Sequence, residues 1–533
     1  MHKTPSPTLR ALCAALPLAL AACTLEPTYQ RPAQPVPQAW PTGPAYAPGT
    51  PAAANANTAA ADLGWQDFFA DARLRRLIEL ALANNRDLRV ATLAIEQARA
   101  QYRIQRAAQF PAIDASAGLV SQRVPSDLRA PGQSSVINQY SAGVGFNAFE
   151  LDFFGRVRSL KHEALEQYLA TEEARRSAHI SLVAEVASAY LTWRADQALL
   201  QISEDTLKSQ QAAAEMVGRG KRAGAMAQLD LHRADTQVQT ARVGVEQFTR
   251  QVAQDENALG LLIGGPLPQD LPPGEPFESP GLVAELPAGL PSALLQQRPD
   301  IMAAEHRLKA ANADIGAARA AFFPTISLTA AVGTASTNLS GLFAAGMGAW
   351  TFAPQITMPI FNAGSNQARL DASKVQKDIN IAAYEKTIQT AFREVADGLA
   401  ARGTYDRQAA AQETLVKEVG ETQRLSEMRF KNGVDDYFSV FDAQRQLYTA
   451  QQTLATIRLA RLTSRVALYK ALGGGWSERT VARGNAPAAT ATSSSTSPGT
   501  PSSSAPAIAS APATSSAASP PAVAQGAAVL PTR

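Results

Sequence analysis

The stretch KNGVDDYFSVFDAQRQL, residues 431–447, has an earlier counterpart in the same chain, KRAGAMAQLDLHRADTQV, residues 221–238. Gly433 lies 209 residues after Gly224, and an alanine and a glutamine further along keep that spacing. In both stretches the glycine precedes a run of mixed apolar and charged residues typical of a helix. Because glycine tolerates the backbone conformation that reverses a chain after a helix, each stretch predicts the tip of a helical hairpin.

The match extends over most of the chain. The offset of 209 also joins the segment Glu185–Ala187 to Glu394–Ala396, and an offset of 213 joins Phe110–Pro111 to Phe323–Pro324. Matched glycine and Phe-Pro positions in register are hard to obtain by chance from alanine-rich helices. The sequence therefore indicates an internal duplication, with a first repeat over 65–265, a linker over 266–290 and a second repeat over 291–476.

Each repeat predicts a long helical rod. No proline occurs between Gly155 and Gly265, or between Phe361 and Trp476. A helix of about 65 residues would be about 100 Å long, and rods of this kind pack as coiled coils. A shorter helix, predicted over about 72–109 in the first repeat, precedes each rod.

The two ends of the chain differ from its middle. Residues 1–22 read as a lipoprotein signal peptide, since Leu20 and two alanines precede Cys23. A plain secretory signal is the alternative interpretation. Cys23 would carry the lipid, residues 23–64 would form an acylated extended segment, and Thr24 favours the outer membrane over retention at the inner one. The Ala/Ser/Pro/Thr-rich residues 477–533 are predicted to be a disordered tail.

Two inserts alternate apolar with polar or small residues, over about 111–153 and about 324–361. Each predicts a β-hairpin whose strands have the length of tilted membrane strands. A small soluble sheet is equally compatible with the pattern alone. In an exported, lipid-anchored chain, four strands can enter a bilayer only if several chains close one barrel, because open sheet edges leave backbone groups unpaired in hydrocarbon. An obligate oligomer follows.

Composition excludes several classes of function. The 533 residues exceed one ordinary domain, and the net charge of +3 gives no reason to expect a nucleic-acid partner. Of the two cysteines only Cys23 would remain after signal cleavage, so no disulfide or cysteine-based metal site forms within one chain. The sequence contains no recognisable nucleophile–base pair, metal cluster or phosphate loop. We therefore expect neither an enzyme nor a cofactor beyond the covalent lipid.

The chain resembles the TolC-like outer-membrane efflux channels, in particular the OprM/NodT lipoprotein branch. The resemblance covers about 23–476 and is carried by YQRP after Cys23, WQDFFADARLRRLIELALANNRDL, QRPDIMAAEHRLKAANADIGAARAAFFPTISL, FKNGVDDYFSVFDAQRQLYTAQQ and LYKALGGGW. It implies a mainly α fold with membrane β structure. Three chains would each give four strands to a twelve-stranded β-barrel, which a long periplasmic α-helical coiled-coil barrel would continue.

The resemblance also assigns residues. Asp442 matches the aspartate ring at the periplasmic aperture, and Phe438 matches the apolar ring, which is a leucine in OprM-like channels. The hairpin tips at Gly224 and at Gly433, Val434 and Asp435 would dock a periplasmic adaptor. Asp435 replaces the TolC-type arginine, so that arginine lock is not expected here.

Arg233 occupies the position equivalent to Asp442 in the first repeat. Register therefore suggests an Asp442–Arg233 pair that closes the tip, against the alternative that both are solvated surface charges. Three like charges at a constriction would raise the pKa of Asp442.

The implied function is a passive trimeric conduit of a tripartite efflux pump in the outer membrane, with multidrug resistance as its consequence. It would receive small molecules from an inner-membrane transporter of the RND type through the periplasmic adaptor, anchored by lipid such as palmitate on Cys23. The alternatives are the outer-membrane channel of a type I polypeptide secretion system and a lipid-anchored periplasmic coiled-coil scaffold without a pore.

Overall fold

The computed structural model describes residues 24–46, 60–129, 132, 134–277, 286 and 298–480. Within them the helices are α1 Trp65–Phe68, α2 Ala72–Asn84, α3 Arg86–Ala107, α4 Arg156–Arg222, α5 Gln228–Ile263, α6 Pro299–Ala320, α7 Ser365–Lys431 and α8 Tyr437–Ala471. The strands are β1 Asp114–Arg123, β2 Val136–Glu150, β3 Thr325–Ser336 and β4 Gly348–Thr357. The predicted signal peptide, Cys23 and most of the predicted linker and tail lie outside the described residues.

The predicted duplication is confirmed in the backbone. Helices α4 and α7 have 67 residues each and begin 209 residues apart, at Arg156 and Ser365. At 1.5 Å per residue each rod is about 100 Å long. Each is followed by a helix of about half its length, α5 with 36 residues and α8 with 35, which returns along it.

The single helix predicted over about 72–109 is wrong, because the chain breaks at Asn85. The ψ angle of Asn85 is 132°, outside the helical range, and its side-chain oxygen accepts a hydrogen bond from Leu88 N at 2.9 Å. Asn85 thus caps α3 while its side-chain nitrogen donates to Leu262 O, at the end of α5, at 2.9 Å. Helix α3 therefore begins where α5 ends, and the two lie end to end.

Arg298 forms the same junction in the second repeat. It immediately precedes α6, and its Nη1 donates to Ala471 O, at the end of α8, at 3.0 Å. The same guanidinium contacts Glu394 Oε2 of α7 at 2.8 Å and Asp300 Oδ1 at 3.0 Å. Helices α6 and α8 are therefore stacked end to end as α3 and α5 are.

These junctions turn the helices into a wall of four columns. The order, from the packing contacts, is α3 with α5, then α4, then α6 with α8, then α7. The two outer columns, α3 with α5 and α7, each have a packed neighbour on one side only.

The main hydrophobic core lies around the two junctions. Helices α1 and α2 pack there against the middle of the rods, and Phe68 stacks on Tyr469 of α8 at 4.0 Å between ring centroids. The Tyr469 hydroxyl donates to Leu63 O at 2.5 Å. Asp71 caps α2 by accepting from Arg73 N and Leu74 N, and its second oxygen accepts from the Tyr190 hydroxyl of α4 at 2.8 Å.

The four strands form one antiparallel sheet in the order β1-β2-β3-β4. A bulge interrupts β2 between Phe146 and Phe149, where the Thr329 hydroxyl accepts from Ala148 N and donates to the Asn147 side chain, at 3.0 Å each. Gly143 and Gly333 face each other across β2 and β3. A Cβ on Gly333 would lie 2.2 Å from Ala142 O, so the two strands approach more closely than any other residue would allow.

Candidate functional site

The sheet has two chemically different faces. Trp350 of β4 lies opposite Val332 of β3, which in turn lies opposite Val144 of β2, so apolar side chains share one face. On the other face Thr357 lies opposite Thr325. Trp350 is 78% exposed within the single chain. Apolar residues on one face and polar residues on the other are what a barrel with lipid outside and water inside requires.

Both edges of the sheet are open. Strands β1 and β4 each pair with one neighbour within the chain, and every residue of both strands is exposed. Each therefore presents a row of backbone N–H and C=O groups that no part of this chain's sheet pairs.

The helical wall is open on the same two flanks. Among the described residues, the large apolar side chains that α4 and α6 carry are shielded from solvent, whereas the outer columns expose many. These are Val90, Leu93 and Ile104 of α3, Leu229, Val243 and Leu261 of α5, and Val375, Ile379, Leu415, Leu425 and Met428 of α7. Exposed apolar residues in quantity mark a surface that another molecule covers.

Phe438 of α8 is the exception, since it lies on an inner column and is 49% exposed. The Arg233 guanidinium of α5 lies over its ring, 5.4 Å from the centroid. Arg233 Nη1 also lies 3.9 Å from Asp230. Arg233 thus joins the two hairpins of one chain through an aromatic ring.

Asp442 has other partners than the register suggested. It accepts from Arg445 Nη2 at 2.7 Å and from the Gln446 side chain at 2.5 Å, both one turn along α8. The single chain does not form the Asp442–Arg233 pair, because Arg445 is nearer and Arg233 stacks on Phe438, and the pair in the closed assembly stays a prediction. The hydrogen bond from Arg445, followed by the one from Gln446, lowers the pKa of Asp442 in the single chain.

The hairpin tips lie at the predicted glycines. Gly224 and Gly433 have φ angles of 76° and 71°, in the left-handed region where a side chain would strain the backbone. Val434 is 61% exposed at the second tip. Asp435 accepts from Arg429 Nε at 2.6 Å and Nη2 at 2.9 Å across the turn.

A small core holds the two tips together, and the sequence interpretation missed it. Ala213 and Val217 of α4 and Ala234 of α5 pack with Tyr437 and Val440 of α8. The sequence signal that could have predicted this core is the spacing of apolar residues near the end of each rod. Because one residue set spans both hairpins, the tips of one chain form one unit.

The N-terminal segment 24–46 follows α6 and then α7 without helix or strand of its own. Near the strands, Leu25 O accepts from Arg319 at 3.1 Å. Further along, Glu305 receives a bidentate hydrogen bond from Arg31. Closer to the middle of the rods the segment makes two more contacts, a Trp40–Phe392 stack with centroids 4.9 Å apart and an Arg407–Pro44 O hydrogen bond at 2.9 Å.

Among the described residues, no helix combines the length and apolar character needed to cross a membrane. The same residues contain no group of three or more His, Cys, Asp and Glu placed to hold a metal ion.

Comparisons with known proteins bear on this arrangement. The family model described as outer membrane efflux protein matches residues 77–265 and 290–474, which are the two repeats. The chain belongs to the outer membrane efflux protein family. It is 54% identical over 462 residues to the toluene efflux pump outer membrane protein TtgC of Pseudomonas putida, covering 86% of this chain and 94% of the relative. It is 46% identical over 462 residues to OprJ of Pseudomonas aeruginosa, covering 86% and 95%.

Solved structures show the same architecture. The open state of the MtrE outer membrane channel of Neisseria gonorrhoeae is 39% identical and superposes with a TM-score of 0.78, covering 86% of this chain and all of that one. A Pseudomonas aeruginosa membrane protein, 44% identical, gives a TM-score of 0.79 over 86% of this chain and 98% of that one. Members of the outer membrane efflux protein family are channel proteins and not enzymes. The chain is therefore the outer-membrane component of an efflux pump, as the sequence predicted.

Proposed function

We propose that three copies of the chain form one passive conduit, in which each copy gives four strands to a twelve-stranded β-barrel and four helical columns to a periplasmic tube. The observation that carries this is that sheet and wall are open on the same flanks. Strand β1 follows α3 of one outer column, and strand β4 precedes α7 of the other. One rotation between copies therefore pairs both layers at once.

Closing the sheet into a barrel removes the free-energy cost of unpaired backbone groups at its edges. A lone β1 or β4 edge in hydrocarbon would leave backbone groups unpaired at several kcal/mol each. Pairing β4 of one copy with β1 of the next satisfies both edges, and it places α7 of one copy beside α3 and α5 of the next. Their exposed apolar residues would then be buried together. The number three rests on the related channels, which are trimers.

The cargo we propose is small organic molecules, including apolar solvents and antibiotics. Similar proteins from Pseudomonas putida are named toluene, solvent and antibiotic efflux pump outer membrane proteins. The polar inner face of the sheet suits a water-filled passage rather than a binding site. Selection among cargoes would then lie with the inner-membrane transporter, which we propose is of the RND type.

A periplasmic adaptor would link that transporter to the tips at Gly224, Gly433, Val434 and Asp435. The rods separate these tips from the strands by about 100 Å, which would bring them deep into the periplasm. The transporter would supply the energy for export, since we propose that this chain only conducts.

We further propose that a lipid on Cys23 anchors each copy. The segment that would follow the lipid is fixed at Leu25, two residues later, by Arg319 at the strand-proximal end of α6. An acyl chain on Cys23 would consequently start close to the bilayer surface, where burial of its CH₂ groups is favourable.

The aperture, in this proposal, lies at Phe438 and Asp442. Three Phe438 rings would form an apolar constriction, and the Arg233 guanidinium would hold each ring in place from the first hairpin of the same chain. Asp442, one turn further from the tip, would add a ring of carboxylates that favours cations.

Single-channel conductance in planar bilayers tests both the conduit and the assignment of the aperture to Asp442. We expect a small wild-type conductance that rises in Asp442→Ala and stays unchanged in Glu418→Gln, an exposed carboxylate along α7. An unchanged Asp442→Ala would keep the conduit but remove the aperture assignment. Folded protein without any conductance would contradict the conduit and favour the scaffold.

A further inference from the structure

The two hairpin tips carry different charges at matched positions. The eleven residues Gly218–Gln228 of the first tip align with Glu427–Tyr437 of the second at the offset of 209. The first set contains three basic residues and no acidic one, a net charge of +3. The second contains two basic and three acidic residues, a net charge of −1.

The charges of the second tip are paired within the chain. Arg429 contacts Asp435 through two hydrogen bonds, and Lys431 lies 3.8 Å from Glu427. Asp436 caps α8 by accepting from Ser439 N. This tip therefore has little charge left for a partner.

The charges of the first tip are largely unpaired. Arg219 contacts Glu215, which lies outside the matched set and is 70% exposed, and Lys221 donates to the neutral side chain of Gln228. Arg222 has no ion-pair partner in the described part of the chain, and all three basic side chains are exposed. The α4 C-terminus and the α5 N-terminus meet here, so their opposite helix dipoles offset each other and the side chains set the potential.

We propose that the first tip binds a carboxylate-bearing segment of the periplasmic partner protein, and that the second tip contacts the same partner without binding a carboxylate. The proposal rests on the proposed function, because it takes these tips as the pump-facing end. Arginine binds carboxylates through two parallel hydrogen bonds. Arg222 is available for such a contact, and Arg219 would exchange its exposed Glu215 partner for the incoming carboxylate. Ala223, Gly224 and Ala225, which follow Arg222, are small and exposed, so they leave its guanidinium accessible.

In a trimer the rim would alternate between basic and weakly acidic tips. A partner that contacts the whole rim would then place a carboxylate at every second tip. This would fix the partner's rotational register as well as its number of binding sites. At physiological ionic strength the attraction would act within about 8 Å, at contact rather than at long range.

Binding of a synthetic probe to the full-length protein in detergent tests the assignment. The probe is a helical-hairpin peptide with four glutamates at its turn, and its twin carries glutamines instead. We expect the glutamate hairpin alone to bind, with an affinity that falls at least tenfold between 50 and 300 mM NaCl. The triple variant Arg219→Gln/Lys221→Gln/Arg222→Gln should lose at least tenfold, whereas the matched second-tip variant Arg429→Gln/Lys431→Gln should not.

Equal binding of the two hairpins would overturn the proposal, as would an unaffected triple variant. Stronger binding to vesicles of anionic phospholipid than to the glutamate hairpin would overturn the choice of a protein partner. Conductance of the same samples separates this proposal from the proposed function. A triple variant that conducts normally is folded, and a wild type that does not conduct contradicts the conduit whatever its tips bind.

Discussion

The two repeats share a backbone, but different side chains join their end-to-end stacked helices. At the first junction Asn85 caps α3 and donates one hydrogen bond to Leu262 O. At the second, Arg298 donates to the equivalent Ala471 O and also contacts the carboxylates of Asp300 and Glu394. The acceptor is a backbone carbonyl at the end of a helix in both, so duplication kept the geometry and left the donor free to change.

The same contrast occurs along the rods. Asp196 of α4 faces Asp255 of α5 in the first repeat, where the second repeat has Tyr405 and Ser464. The first repeat thus holds a pair of carboxyl groups that the second lacks. Charge is concentrated at the junction of the second repeat and in the hairpin of the first, and a single substitution tests each difference.

The largest expected effect comes from Arg298→Asn, which places the residue of the first junction at the second. The Arg298 side chain is 9% exposed, and its loss leaves the Asp300 and Glu394 carboxylates without their cation. Asp300 and Glu394 are themselves 33% and 40% exposed, so the cost should lie below the roughly 3–5 kcal/mol typical of a fully buried pair. We expect a strongly lowered thermal unfolding midpoint by circular dichroism. Asn85→Ala, which removes a cap, should cost about 1–2 kcal/mol. Equal effects of the two variants would contradict the comparison.

Gly333→Ala should be the next most damaging. Its Cβ would lie 2.2 Å from Ala142 O, so β2 and β3 would have to separate. Overpacking of this kind costs about 1–3 kcal/mol. Gly118→Ala in β1 is the matched control, since the nearest atom to its Cβ is Ser141 Oγ at 3.9 Å. Heat-resistant oligomer on gels should decrease for Gly333→Ala alone, and a parallel loss for Gly118→Ala would show that strand glycines matter for another reason.

Asp196→Asn should change the pH dependence of stability. Burial first, and the Asp255 carboxyl second, raise the pKa of Asp196 to about 7, from an ordinary value of 3.8. The folded chain therefore holds this proton more tightly than the unfolded chain, and the contribution is present below about pH 4 and lost as pH rises through about 7. Unfolding midpoints measured from pH 4 to pH 8 should fall more for the wild type than for Asp196→Asn. Parallel curves would exclude the carboxyl pair as a source of pH dependence.

Phe438→Leu should have the smallest effect, because it copies the equivalent residue of the first hairpin, Leu229. The variant removes a cation–π contact with Arg233, worth about 0.5–1 kcal/mol at an exposed site. Single-channel conductance should rise slightly, by less than in Asp442→Ala, while Leu229→Phe leaves it unchanged. A decrease in conductance would mean that the ring does not narrow the aperture.

The parts of the fold that sequence could predict are those set by local residues. Proline-free runs indicated the rods, the two glycines in matched register indicated the tips, and the alternation of apolar with polar or small residues indicated the four strands. The break at Asn85 was also readable, since an asparagine followed two residues later by Asp87 is a typical start of a helix. The prediction of one helix over about 72–109 did not use this local signal, because the apolar spacing continues through Asn85.

Contacts between distant parts of the chain could not be predicted from the sequence. Arg298 and Glu394 are 96 residues apart, and nothing local in either segment identifies the other as a partner. The path of residues 24–46 along α6 and α7 depends on such contacts throughout. The Asp442–Arg233 pair does not form within the single chain for a related reason. Register places residues at the same level of the wall, but nearer side chains such as Arg445 compete for them.

If one chain is an open segment of a ring, the protein extracted in detergent is an oligomer of fixed size, which native mass spectrometry measures. We expect a single assembly of three mature chains, each heavier than its polypeptide by one lipid modification. A folded monomer that keeps its helical content, with β1 and β4 still unpaired, would contradict it.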